Sequence, residues 1–107
     1  MAHIRTLDTQ RQAAAISWMS KAFGDQIELS IWNVDHMVEF DEKYSNGEII
    51  GAVIEGTAEL LIGKDSQETS TIGPNQSWFL PEGTIYQWKI KSVPFRAVIA
   101  MPRGESM

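Results

Sequence analysis

Cysteine is absent from this chain, which excludes disulfides, thiolate metal sites and cysteine nucleophiles together. Histidine is scarce. His3 and His36 are the only two, too few for a multi-histidine metal cluster within one chain, so any metal would have to draw on carboxylates. Positive charge is also short: nine Lys and Arg stand against fourteen Asp and Glu, a formal net charge of −5, and the basic residues are scattered. A nucleic-acid partner is not expected, because binding one depends on neutralising phosphates with clustered basic side chains. No apolar run approaches the roughly 18 residues of a membrane span. The first residues, Met1 to Asp8, lack the basic-then-apolar order of a secretory signal. These two features predict a cytoplasmic protein that does not engage a membrane. Internal repeats and low-complexity stretches are missing as well.

What is present is an ordinary globular composition, 43% apolar and 21% charged over 107 residues, room for one domain with one core. Thr9 and Gln12 have the spacing of a capping box. The run from Gln12 to Phe23 is rich in helix formers and ends at Gly24. The predicted element is a helix over residues 9–23, with Ala15, Ile16, Met19 and Phe23 on its packed face. It forms an N-terminal segment, residues 1–25, ahead of a β-barrel over 26–102 and a short tail, 103–107.

From Gln26 the pattern becomes that of short strands. Ile27, Leu29 and Ile31 alternate with Glu28 and Ser30, which predicts a strand with the three apolar residues inward. A strand from His36 to Tyr44 follows, then a tight hairpin at Asn46-Gly47 leading into Glu48 to Glu55. Further stretches at 57–62, 68–72, 77–80, 84–91 and 95–101 are separated by Gly- and Pro-containing turns. Many short strands without helical pattern between them indicate an all-β sandwich or barrel.

Two stretches narrow that class. Val53-Ile54-Glu55-Gly56 with Gly63 downstream, and Pro81-Glu82-Gly83-Thr84-Ile85-Tyr86, resemble the turn frames of the cupin family. The resemblance covers roughly residues 30–100 and implies a small single-domain cupin, a double-stranded β-helix or jelly-roll barrel. It is carried by turn residues with their own physical reasons: glycine admits backbone angles closed to side chains, and proline sets the chain direction.

A metal-dependent cupin would carry three histidines and a glutamate. Counting back from Gly56 places Lys43 and Ser45, or Glu42 and Tyr44, at the first two histidines and Ile49 at the glutamate, with Glu48 out of phase. The third histidine becomes Tyr86. An ammonium and an alkyl chain offer a metal no lone pair, so the resemblance implies a cupin without the usual ligands, with no cofactor. If the family's strand phase holds, Lys43, Ser45, Ile49, Gly51 and Val53 line one wall of the barrel, and Thr84, Tyr86 and Trp88 another.

The leading expectation is a metal-free domain that binds a small apolar or aromatic molecule in the barrel, a ligand sensor rather than an enzyme. Lys43, Ser45, Ile49, Trp78, Tyr86 and Trp88 are its candidate contacts. The bland counterpart is that these rings only fill a small barrel. An alternative is a metal-independent isomerase or lyase with Tyr86 as proton donor and Glu48 or Glu42 as base, or with Lys43 forming an imine. Another is a metal enzyme using His36 with Glu39, Glu42 or Glu48. A cyclic-nucleotide-binding roll fits less well, because no arginine sits in a glycine-rich phosphate-binding stretch. Four tryptophans are many for this length. At least one of Trp32 and Trp78 is expected to face outward and, with the N-terminal helix, to pair two copies as a homodimer.

Overall fold

The computed structural model describes residues 8–11, 18–65 and 67–103. Their regular elements are all strands: β1 (Asp8–Arg11), β2 (Trp18–Phe23), β3 (Ile27–Val34), β4 (Lys43–Tyr44), β5 (Ile49–Ile62), β6 (Glu68–Ile72), β7 (Ser77–Leu80) and β8 (Ile85–Pro102). The two longest, β5 and β8, run antiparallel along their whole lengths and form the spine. Each serves two sheets. The first half of β5 pairs with β7 and with the second half of β8, which continues through β3 and β2 to β1. The second half of β5 pairs with β6 and with the first half of β8, against which β4 lies.

The change of sheet happens around Gly56. There the β5–β8 register shifts between Val53 and Ala58, a bulge that bends the strand pair. Gly56 has a φ of +81°, and a Cβ on it would stand 2.5 Å from the Pro94 carbonyl oxygen. Thr57 closes the bend: its N–H donates to the Ser92 hydroxyl at 2.8 Å, and the two hydroxyls share a second hydrogen bond of 2.8 Å.

Apolar residues of both sheets meet between them. Trp32, Val34, Ile49, Val53, Trp78, Leu80, Phe95, Ala97, Ile99 and Met101 come from the first sheet, and Ala58, Leu60, Ile72, Tyr86, Trp88 and Ile90 from the second. This is the closed, two-layer arrangement expected of an all-β jelly roll.

Four expectations require correction. The helix over residues 9–23 is not formed where the chain is described: 8–11 and 18–23 are strands, and 12–17 lie outside the described residues. β2 pairs with β3 over its full length, Trp18 opposite Asn33 through Phe23 opposite Glu28. Helix propensity is a few tenths of a kcal/mol per residue, about what a free sheet edge can override.

The phase of β3 is inverted. Glu28, Ser30, Trp32 and Val34 are buried, while Ile27 is 62% exposed and Leu29 is exposed too. Side chains in a strand alternate with period two, so placing Trp32 and Val34 in the core carries Ser30 and Glu28 in with them.

Asn46-Gly47 is not a hairpin turn either. β4 pairs with β8, not β5, and neither residue has a positive φ, so the segment crosses from one sheet to the other. Finally, Trp32 and Trp78 are both inside. Large apolar side chains that the first sheet turns outward include instead Ile27, Leu29, Ile50 and Phe79.

Candidate functional site

The turn at Pro81–Tyr86 enters β8, and Ser45 holds it in place. The Ser45 hydroxyl donates to the Pro81 carbonyl at 2.8 Å and accepts from the Thr84 N–H at 2.8 Å. The backbone repeats the clasp: Ser45 N–H donates to the Thr84 carbonyl and Gly83 N–H to the Ser45 carbonyl, both at 2.9 Å. Just beyond it, Lys43 is the register partner of Tyr86 and Tyr44 of Ile85. The wall expected from strand phase therefore forms: Lys43 is half-buried, and Ser45, Ile49, Tyr86 and Trp88 are buried.

Within that wall Ser45 has a structural task, since its hydroxyl is engaged on both sides by the turn. Ser45→Ala would leave the half-buried Thr84 N–H with only the longer 3.3 Å contact to Pro81, next to the fully buried position 45. The expected cost is about 1–2 kcal/mol of unfolding free energy, measured by urea denaturation. A cost near zero would show that the clasp contributes nothing.

Deeper in the barrel the aromatic rings form a connected line. Trp78 meets Trp88 edge to face at 4.7 Å between centroids, Trp88 meets Trp32 in the same way at 6.3 Å, and Trp32 stacks on Phe40 at 5.4 Å. Trp32 and Trp78 belong to the first sheet and Trp88 to the second, so the line crosses the barrel. Gly51 makes room for it. An ideal Cβ on Gly51 would lie 2.3 Å from Trp78 Cζ2, 2.5 Å from Cη2 and 2.8 Å from Cε2, so the indole occupies the space that any side chain there would need.

The barrel interior holds more hydrogen-bond donors than the described residues satisfy. Among the described residues, the Nε1–H groups of Trp32, Trp78 and Trp88 and the hydroxyl of Ser30 are buried and have no hydrogen-bond partner. An indole N–H is a donor only, and buried tryptophans ordinarily find a partner for it.

Sequence reasoning missed the polar side of this interior. Glu28, taken as solvent-facing, has 1% of its side chain exposed and stands 3.2 Å from the ammonium of Lys21, itself 17% exposed. Ser30, also taken as solvent-facing, is fully buried. The signal lay in Trp32 and Val34, which share the alternation of Glu28 and Ser30.

The residues at the positions where the fold family carries metal ligands do not fit a metal ion. Ile49 has no donor atom, Lys43 has none to give as an ammonium, and the Ser45 hydroxyl is committed to the turn. Among the described residues no group of three or more His, Asp or Glu is placed to hold one. His36 is exposed, with Nδ1 2.7 Å from Asp35 Oδ1, and Glu39 is an exposed partner of Lys89 at 3.6 Å.

The acid–base pairing of Tyr86 with Glu48 or Glu42 is not assembled either, because both carboxylates are exposed. Glu48 lines an outer groove with Gln26, Ile27, Ile50 and Pro102, on the far side of β5 from its inward neighbour Ile49. One residue of displacement along a strand reverses the face.

No family model and no curated protein matches the chain. Solved structures do. A cupin superfamily protein from Desulfitobacterium hafniense DCB-2 superposes with a TM-score of 0.67 at 13% identity, over 95% of this chain and 82% of that one. KdgF from Halomonas sp. superposes with a TM-score of 0.77 at 16% identity, over 92% and 88%. A cupin-2 domain containing protein from Shewanella frigidimarina NCIMB 400 gives 0.65 at 17% identity, over 88% and 83%. At such identities the likeness concerns the path of the chain, and what it says of chemistry comes from the residues above.

Proposed function

We propose that this chain, which has the cupin fold, is a metal-independent binding module whose barrel takes a small aromatic or apolar molecule, with a sensing role rather than a catalytic one. The observation that carries this reading is the line of Trp78, Trp88 and Trp32 across the barrel, with three buried indole N–H groups that no described residue partners. A core built only for packing would have no use for unpaired donors, each of which costs about 1–3 kcal/mol. Ring faces give an aromatic guest stacking surface, and the N–H groups orient it. Tyr86 and Lys43, paired across β8 and β4, bound the same space on the second sheet. Catalysis has less support, since no carboxylate named for it turns inward.

Titration with indole, followed by tryptophan fluorescence and checked by equilibrium dialysis, tests the reading. The expected result is a saturable change that Trp88→Phe weakens about tenfold, through loss of the N–H and part of the ring surface. A linear, non-saturating response from folded protein would overturn it.

A further inference from the structure

We infer that β3 carries a polar anchor for the guest, centred on the Ser30 hydroxyl, and that the guest bears a carboxylate. This rests on the binding reading above and adds the chemical class of the ligand.

Strand register places the anchor. Lys21, Ser30, Ile99, Gly51 and Trp78 are successive cross-strand partners on β2, β3, β8, β5 and β7. Directly paired residues share a face, so these five form one row across the inner surface of the first sheet. Trp78 lies back over Gly51, with Cε2, the carbon that bears the indole nitrogen, 2.8 Å from the ideal Cβ position. The ring thereby covers the next position of the row, Gly51.

The donor count selects the ligand. Ser30 and the three indoles supply four buried donors that no described residue accepts from. Lys21 adds a charge: its ammonium has three N–H donors, and its contact with Glu28 at 3.2 Å runs to a single oxygen. Glu28, the buried carboxylate among the described residues, already has Lys21 as its counter-ion. A guest entering here meets surplus donors and a cation with donors to spare, on the same row as an aromatic surface. Carboxylate oxygens, which only accept, are the complement, and charge-assisted bonds are the strong ones.

The same reasoning separates this role from a structural one. A buried hydroxyl that serves the fold loses stability when removed, whereas an unpaired one held ready for a ligand costs stability until the ligand arrives. Ser30→Ala is therefore expected to raise the melting temperature of the free protein by about 4 °C and to weaken benzoate binding about tenfold. Binding of benzyl alcohol, of similar size without the charge, should fall less, since its hydroxyl makes only a neutral hydrogen bond with Ser30. Ser30→Cys, nearly isosteric with a weaker donor, should fall between Ser30→Ala and the parent protein for benzoate.

Calorimetric titration of the parent and both variants with the two probes gives the answer. If benzyl alcohol binds and benzoate binds no more tightly, or if Ser30→Ala leaves benzoate affinity intact, the anchor is wrong and the binding reading stands. A lower melting temperature in Ser30→Ala also overturns the anchor. If neither these probes nor indole binds, both fall together.

Discussion

Lys21→Met is expected to lower the unfolding free energy by about 2–3 kcal/mol, and replacing Glu28 by leucine in the same chain is expected to recover most of that loss. The reason is the asymmetry of the pair: Glu28 has 1% of its side chain exposed, Lys21 17%. Taking away the ammonium leaves a carboxylate in the barrel with its counter-ion gone, and a buried charge stripped of its partner is costly. The figure lies at or below the low end of the range for buried pairs because Lys21 keeps some contact with water. Converting both positions to apolar residues removes the desolvation cost of each, so the double variant should approach the parent. Urea denaturation of the parent, both single variants and the double variant yields the coupling directly. Additive losses, with no recovery in the double variant, would show that Glu28 does not depend on Lys21.

Gly51→Ala should cost about 2–3 kcal/mol and change the near-ultraviolet circular dichroism of the tryptophans. The sign is informative, since alanine for glycine within a strand or helix is ordinarily favourable by about 0.5–1 kcal/mol. Here the new methyl group would fall within 2.3 Å of Trp78 Cζ2, so the indole must move or the strands must part. Moving the indole also disturbs its contact with Trp88 at 4.7 Å. In a Trp78→Leu background the same substitution should cost little, because the ring that it strikes is gone. An equal penalty in both backgrounds would place the strain in the backbone and not against the ring.

The two predictions concern residues that differed in how far their roles could be read beforehand. Gly51 was assigned to the inner wall by strand phase, and it is there; that Trp78 lies on it could not be known, because a ring position depends on the strand opposite. Lys21 and Glu28 were misplaced altogether. Lys21 belonged to an expected helix and Glu28 to the solvent side of β3, and the structure pairs them inside the barrel. Both errors come from local reading. Residues 18–23 are good helix formers that instead complete a sheet edge, and Ile27 and Leu29 look like a buried face until Trp32 and Val34 claim the core.

By itself, then, the sequence was enough to establish the frame. Pro81, Gly83 and Gly56 restrict the backbone locally, whatever surrounds them; the Pro81–Gly83 turn is where it was expected, while Gly56 bends β5 at a bulge instead of ending a strand, and both glycines have positive φ. The resemblance's strand phase put Tyr86, Ile49 and Ser45 on the inner wall, where all three are buried. Only the tertiary structure decided which face of β3 is the inner one, that residues 18–23 are strand, and that three indole N–H groups, a serine hydroxyl and a lysine–glutamate pair lie inside the barrel. The physical reason is range. Turn conformation is settled among adjacent residues, whereas the phase of a strand is set by what competes for the core across the sheet, and here Trp32, with Val34, outweighed Ile27 and Leu29 on the opposite face.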